Sequence, residues 1–174
     1  LLGGVIDYGE INRNLFWIRP NYVDTVYSTS DWTDVRTYYI IQRNNRAADY
    51  AWSVRMKVGD ITREDAEREQ LCNVYALKSG LLFNYLFNPK QQGAGFCPAN
   101  GKSKTISRLF KNDIDSYCPS IDLWQAIAYK TLYQKEDYLY LLIDAFKFFE
   151  EGAKSPFPDL TEESNPVLVK LKLK

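Results

Sequence analysis

The residues best suited to bind an anion are the basic side chains between positions 89 and 112, a stretch that contains no acidic residue. They are Lys90, Lys102, Lys104, Arg108 and Lys111. A basic loop that leads into a basic helix can contact the phosphate backbone of a nucleic acid, although a solvated basic face has the same composition. The candidate residues for binding nucleic acid or a phosphorylated ligand are therefore Lys102, Lys104, Arg108 and Lys111.

The same stretch carries Gly95 and then Gly101-Lys102-Ser103, which is similar to a phosphate-binding P-loop. That motif requires four residues between its first glycine and the Gly-Lys pair, whereas this chain has five. Pro98 also removes one of the backbone N–H donors that a P-loop turns toward the phosphates. We interpret the match as accidental. Base stacking has little support here, because only Phe96 and Phe110 lie among the basic residues.

Catalysis by side chains has little support in the sequence. The chain contains no histidine, which removes the commonest general base and the usual zinc ligand. Carboxylates occur in close pairs such as Glu64-Asp65 and Glu136-Asp137, but the first pair lies on a charged turn that indicates solvated side chains. Asp144, within an apolar stretch, is the carboxylate we expect to be desolvated, with Lys147 or Lys130 as its partner. No catalytic residue, cofactor or metal site is predicted.

The cysteines and the charge balance bear on the environment of the protein. Cys72, Cys97 and Cys118 are odd in number and have no C-x-x-C spacing, so neither a disulfide framework nor a zinc site is predicted. Free thiols in a reducing compartment or a virion are expected, with a Cys97–Cys118 disulfide as the alternative. Basic and acidic residues both number 22, and no apolar run reaches the ~18 residues of a membrane span, so we expect a soluble protein.

The element that would position these residues is the stretch 120–152, the densest apolar segment of the chain. It begins after a Pro-Ser pair, ends at Gly152, and places its large apolar residues at helical spacings. These residues are Leu123, Trp124, Ile127, Leu132, Leu139, Leu142, Ile143, Phe146 and Phe149. The pattern predicts a central helical element around which the core forms.

A helical hairpin over 31–87 is predicted to pack on this central element. Its first helix, 31–58, would end at Gly59, and Thr62 would cap a second helix over 62–87. Because the residues from Tyr50 to Val58 also alternate between apolar and small or polar types, a β-hairpin at 35–58 is the alternative. A loop at 88–103 and a short helix near 105–113 are predicted to follow.

Three segments are predicted: an extended arm at 1–29, a helical core domain at 30–152, and a linker with a C-terminal strand at 153–174. The last eight residues place Val167, Val169, Leu171 and Leu173 on one side and lysines on the other, which predicts a half-buried strand. We expect these four side chains to be buried in the functional assembly. Burial against another chain is slightly favoured over burial against the protein's own domain.

The fold class predicted is mainly α, with α+β as the alternative. The leading function is a non-enzymatic structural or assembly subunit that acts through protein–protein contacts in a homo- or hetero-oligomer, for example a viral particle. The absence of histidine and the high content of tyrosine, phenylalanine and tryptophan motivate it. A nucleic-acid or phosphate-binding module and an enzyme of unrecognised class are the alternatives. The candidate interface residues are Phe16, Trp17, Val167, Val169, Leu171 and Leu173.

Overall fold

A computed structural model shows a mainly β protein. It describes residues 6–20, 23–42, 47–60, 62–87, 91–99, 101–102, 104–106, 109–110, 119–129, 131–150 and 157–172. Within these ranges the chain forms thirteen strands and three short helices. The mainly α prediction is therefore wrong.

Seven strands form a large sheet in the order β13-β12-β11-β1-β2-β3-β4. They are β1 (Ile6–Asn12), β2 (Leu15–Pro20), β3 (Thr25–Thr29), β4 (Val35–Ile40), β11 (Tyr133–Lys135), β12 (Tyr138–Ile143) and β13 (Val167–Lys172). Neighbouring strands are antiparallel except β1 and β11, which pair in parallel through one register position, Glu10 with Lys135. The sheet thus consists of a first half, β1–β4, and a second half, β11–β13.

Four further strands form a small antiparallel sheet in the order β5-β6-β7-β8. The remaining elements are α1 (Tyr50–Val58), β5 (Glu69–Leu77), β6 (Gly80–Phe87), β7 (Gln91–Pro98), β8 (Lys104–Ile106), β9 (Leu109–Phe110), β10 (Ile121–Asp122), α2 (Leu123–Ala128) and α3 (Lys147–Glu150). Strands β9 and β10 pair with each other. A single 3-10 turn, Asp65–Glu67, precedes β5.

The small sheet contributes its two faces to two different apolar clusters. In one cluster, Val74 and Ala76 of β5 join Trp17 and the other inward residues of β1–β3. In the other, the neighbouring residues Tyr75 and Leu77 join α2 and the inward residues of β12 and β13. Because successive residues of a strand point to opposite faces, the two halves of the large sheet cover opposite faces of the small one.

The buried side chain of Gln134 joins these parts where β1 meets β11. Its amide nitrogen donates to the backbone oxygen of Ala76 at 2.6 Å and to that of Glu10 at 3.3 Å. Its amide oxygen accepts a hydrogen bond from the Trp17 indole nitrogen at 3.0 Å. Gly9 leaves room for this contact, since a Cβ there would lie 2.5 Å from that indole nitrogen. One polar side chain therefore links both halves of the large sheet to the small sheet.

The helical hairpin predicted over 31–87 is wrong in most of its length. Val35–Ile40 is a strand that pairs with β3, and the predicted helix 62–87 is the β5–β6 hairpin. The alternative hairpin at 35–58 is also wrong, because Tyr50–Val58 is helical. The helix end at Gly59 is confirmed: this residue has a φ of 76°, the left-handed conformation that favours glycine.

The central helical element predicted over 120–152 is wrong as well. Its residues form β10, α2, β11, β12 and α3, although most of its large apolar side chains do lie in the core. Leu142, Phe146 and Phe149 are exposed instead. Much of the loop predicted at 88–103 is β7, and the short helix predicted near 105–113 is replaced by β8 and β9 where the structure describes it.

Candidate interaction surface

The predicted interface residues of the N-terminal segment have different surroundings. Trp17 is fully buried on the inner face of β2, where its indole meets Gln134. Phe16, on the opposite face, is half-buried and stacks on Trp32 with ring centroids 6.1 Å apart. Trp17 therefore belongs to the core of its own chain, and a role of Phe16 in assembly stays a prediction.

The predicted C-terminal strand is present as β13, with the alternation that the sequence indicates. Val167 and Val169 are half-buried and Leu171 is buried, all on the inner face, while Leu168 and the lysines point outward. Leu173 lies outside the described residues. The edge that β13 joins is β12 of the same chain, in a six-position register from Tyr138–Lys172 to Ile143–Val167. Whether this strand also serves assembly stays a prediction.

The predicted anion-binding residues are only partly described. Lys102 and Lys104 are exposed on the connection from β7 into β8, and Arg108 and Lys111 lie outside the described residues. Gly95 lies in the middle of β7, where it faces the Phe83 ring, and Phe96 pairs with Lys104. The P-loop-like residues are thus in a strand and its following turn, without the strand-to-helix context that the motif requires. Nucleic-acid binding by these lysines stays a prediction.

The surface that sequence reasoning missed is the outer face of the large sheet around β1 and β11–β13. Cross-strand register partners lie side by side on the same face, so the register defines three rows across these strands. The first row contains Glu10, Lys135, Tyr138 and Lys172. The second contains Tyr133, Tyr140 and Lys170, and continuing the parallel register from Glu10 and Lys135 adds Tyr8 to it. The third contains Leu142 and Leu168, and we add Ile6, the next residue on the same face of β1. We call these eleven residues the outer grid.

Large apolar and aromatic side chains of the outer grid are open to solvent. Five of them are between 50% and 74% exposed: Ile6, Tyr8, Tyr133, Leu142 and Leu168. Tyr133 and Tyr140 are in ring contact with centroids 6.3 Å apart, and Tyr140 contacts Tyr138 at 6.5 Å. Single exposed apolar residues are ordinary on protein surfaces, but a contiguous group of this kind is typical of a binding site.

Two lysines of β13 lie against these tyrosines. The Lys170 ammonium lies 3.7 Å from the centroid of the Tyr138 ring, and the Lys172 ammonium lies 5.7 Å from it. Such cation–π contacts hold a lysine close to the sheet instead of letting it extend into water. Neither lysine forms an ion pair with a carboxylate in the part of the chain that the structure describes. The outer grid therefore presents two positioned cations beside exposed rings.

On the first half of the sheet, the β3–β4 loop lies over one end of the outer face, while Trp32, Val35 and Ile40 remain between 49% and 70% exposed. The Trp32 backbone N–H donates to the Thr29 hydroxyl at 2.8 Å, and its ring stacks on Phe16. The Asp31 carboxylate fixes this loop by accepting bonds from the backbone N–H groups of Thr33 and Asp34. The Asp34 hydrogen bond is the main reason that the pKa of Asp31 is lowered.

The buried polar groups beneath the sheet are engaged in structure. Arg19, with no exposed surface, donates through Nη1 to Asp7 Oδ2 at 3.0 Å and through Nε to the Val23 carbonyl at 3.0 Å. Asp7 Oδ2 also accepts from the Val74 backbone N–H at 3.2 Å, which ties β1 to β5. This pair is enclosed between the two sheets, so it can act on packing but has no access to a substrate.

The cysteines and Asp144 are the other side chains that the sequence singles out for their chemistry. Burial raises the pKa of the Cys72 thiol to about 11, which keeps it protonated and poorly nucleophilic at neutral pH. Cys72 and Cys97 are free thiols, and Cys118 lies outside the described residues. Asp144 is exposed, so its predicted desolvation is wrong. Over the described ranges, no group of three or more cysteine, aspartate or glutamate side chains could hold a metal ion.

The carboxylate with the strongest local contacts is Asp65, in the turn between α1 and β5. Arg55 donates to both its oxygens, at 2.6 and 3.0 Å, and this interaction holds the pKa of Asp65 far below its usual range. Thr62 and Asp65 exchange two further bonds, from each backbone N–H to the other side chain. Thr62 is predicted to cap a long helix. In the structure its hydroxyl accepts the Asp65 backbone N–H at the start of a single turn, whose N-cap residue is Glu64.

Comparison with known proteins adds no family assignment. No protein-family model matches the chain, no curated protein matches it, and no solved structure matches its fold. Among the described helices none is both long and apolar enough to cross a membrane.

Proposed function

We propose that this protein is a non-enzymatic assembly subunit that binds another protein through the outer grid. The observation that carries the proposal is the grouping of five exposed apolar or aromatic side chains on one sheet face. Removing such side chains from water on binding stabilises a complex by roughly 25 cal/mol for each Å² of apolar surface. Tyrosine is also enriched at protein interfaces, because its ring contributes area while its hydroxyl forms hydrogen bonds.

The placement of the grid on regular strands supports the same function. Interaction surfaces that are rigid before binding lose less conformational entropy when the partner arrives. Here β12 is paired on both sides, by β11 and β13, and its inner residues Leu139, Leu141 and Ile143 are buried in the core. The outer residues Tyr138, Tyr140 and Leu142 are therefore presented by a fixed backbone.

Site-specific photocrosslinking tests this function. Tyr133 is replaced by p-benzoylphenylalanine, a similar but larger aromatic residue, and the protein is irradiated in the cells that produce it. Val58 of α1, which is 72% exposed and distant from the outer grid in the topology, receives the same replacement as a control. We expect discrete protein adducts from position 133 and none from position 58.

Two results would contradict the proposal. Adducts that contain only nucleic acid would assign the grid to the alternative function, which is nucleic-acid binding. Equal protein labelling from positions 133 and 58 would mean that the grid is an ordinary exposed surface.

A further inference from the structure

We infer that the outer grid binds a short acidic peptide segment with an apolar anchor residue. The inference rests on the proposed function and names the chemistry of the partner. It follows from the order of the three rows along the strands. The first row contains two lysines and one glutamate, the second contains three tyrosines and Lys170, and the third is aliphatic. A matching ligand has acidic side chains at one end and a large apolar side chain at the other.

The cationic end of the grid is defined by Lys170 and Lys172. Their register partners across β12 are Tyr140 and Tyr138, so no acidic residue lies beside them in that direction. The tyrosine rings hold both ammonium groups near the sheet, where a carboxylate of the partner could reach them. Glu10 lies at the far side of the first row, two strands away from β12, and would repel an acid placed over β1. Acidic residues are therefore expected over β12 and β13.

The aliphatic end is defined by Leu142 and Leu168, which are register partners and both more than 60% exposed. A nucleic acid has little aliphatic surface to place on this pair, whereas a leucine or an aromatic side chain would bury its apolar area there. Charge complementarity and the aliphatic pair thus favour an acidic protein segment over a nucleic acid.

The size of the grid favours a short segment over a folded domain. Three strand spacings and two row spacings each cover about 14 Å, which gives a sheet area of about 200 Å². A stable interface between folded proteins needs about 800 Å² from each partner. The distance from the aliphatic to the cationic row corresponds to about four residues of an extended peptide or about nine of a helix.

Peptide display on the whole chain tests this inference. A library of random 16-residue peptides is selected against the wild-type protein, and the affinities of selected peptides are measured by fluorescence anisotropy at two salt concentrations. We expect enrichment of Asp and Glu together with a large apolar residue four or nine positions away. The double variant K170E/K172E should weaken binding at least tenfold, and replacing the peptide's acids by lysine should restore binding to that variant.

The matched control is K102E/K104E, which changes the net charge equally at two exposed lysines outside the grid. It should leave peptide affinity unchanged, whereas Leu142→Ser should weaken binding without changing the salt dependence.

Any other result contradicts the inference, and some of these results leave the proposed function intact. Selected peptides that need Leu142 but contain no enriched acids would leave protein binding by the grid intact and reject the acidic partner. Self-association through the grid, seen by light scattering, would do the same. Failure to select any grid-dependent peptide, together with K170E/K172E-sensitive binding of a 20-residue oligothymidylate, would reject both.

Discussion

The two halves of the large sheet use their polar and apolar residues in opposite ways. The first half buries charge on its inner face, where Asp7 meets Arg19, and its β3–β4 loop covers part of its outer face. The second half is apolar inside apart from Gln134, and its outer face is an open array of tyrosines, lysines and leucines. The first half thus joins the two sheets through a buried ion pair, whereas the second half leaves rings, lysines and leucines open to solvent.

The largest effect should come from breaking the buried pair of the first half. Arg19→Leu leaves the Asp7 carboxylate enclosed without its cation, which costs about 3–5 kcal/mol of the free energy of unfolding. Urea denaturation followed by tryptophan fluorescence measures it. Arg36→Leu, which removes an arginine from the exposed Arg36–Asp34 pair, is the control and should not change stability measurably. Equal losses of unfolding free energy in both variants would mean that the buried pair stabilises the protein no more than the exposed one. The difference between the halves would then not hold.

A large effect is also expected on the inner side of β12, and almost none three residues further along on its outer side. Leu139→Ala empties a fully buried site and should cost about 2–4 kcal/mol, whereas Leu142→Ala at an exposed site should stay within about 0.5 kcal/mol of wild type. The same urea titration compares them. A large destabilisation by Leu142→Ala would mean that the outer grid contributes to folding and is not reserved for binding.

A moderate effect is expected where the halves meet. Gln134→Leu removes the hydrogen bonds to Trp17 and Ala76 and leaves a buried carbonyl and indole N–H without those partners, at a cost of about 1–3 kcal/mol. Hydrogen exchange should show faster opening in β1, β2 and β11 than in β6 and β7. Uniform acceleration throughout both sheets would show that Gln134 does not act as a local junction.

The smallest effect concerns Asp65, which lies outside both halves and serves as a reference for ion pairing away from the sheet. Its pKa is lowered in the folded state from 3.8, chiefly by Arg55, so its stabilising contribution is present above pH 4 and is lost as the pH falls below that value. Asp65→Asn should therefore lower the urea midpoint at pH 7 and converge with wild type in acid. A constant difference between the two proteins from pH 7 to pH 2 would contradict this.

The sequence predicts secondary structure correctly where one face of an element is exposed to solvent. In β13 the outward lysines alternate with inward valine and leucine, and that pattern predicted both the strand and its inner face. The end of α1 was also predictable, because the left-handed position after the helix is filled by Gly59. In both places the local chemistry agrees with the tertiary surroundings.

Reasoning failed where both faces of a strand are covered. Val74 to Leu77 are four consecutive buried residues, because the two halves of the large sheet cover the two faces of β5. In such a strand apolar residues no longer alternate with polar ones. Apolar residues three and four positions apart then resemble the pattern of a helix. The turn between β5 and β6 ends at Gly80, whose φ of 151° is a backbone conformation that favours glycine.

The outer grid could not be predicted for a related reason. Its residues come from three separate parts of the sequence, and only the pairing of β1 with β11 and of β12 with β13 brings them together. Tyr8 and Tyr133 each lie two residues before the parallel partners Glu10 and Lys135, and no short-range sequence pattern indicates such pairing. The high tyrosine content indicated an interface, but composition does not indicate where on the fold it lies.

The parallel pairing of β1 with β11 also has a consequence for synthesis. Gln134 contacts Glu10, which was made 124 residues earlier, and at 5–20 residues per second the ribosome needs roughly 6–25 s to cover that interval. During this time the inward side of the β1–β3 meander, including Trp17, lacks its final cover. The nascent chain is therefore most vulnerable to aggregation early, and a slow stretch of translation before β11 would prolong that exposure.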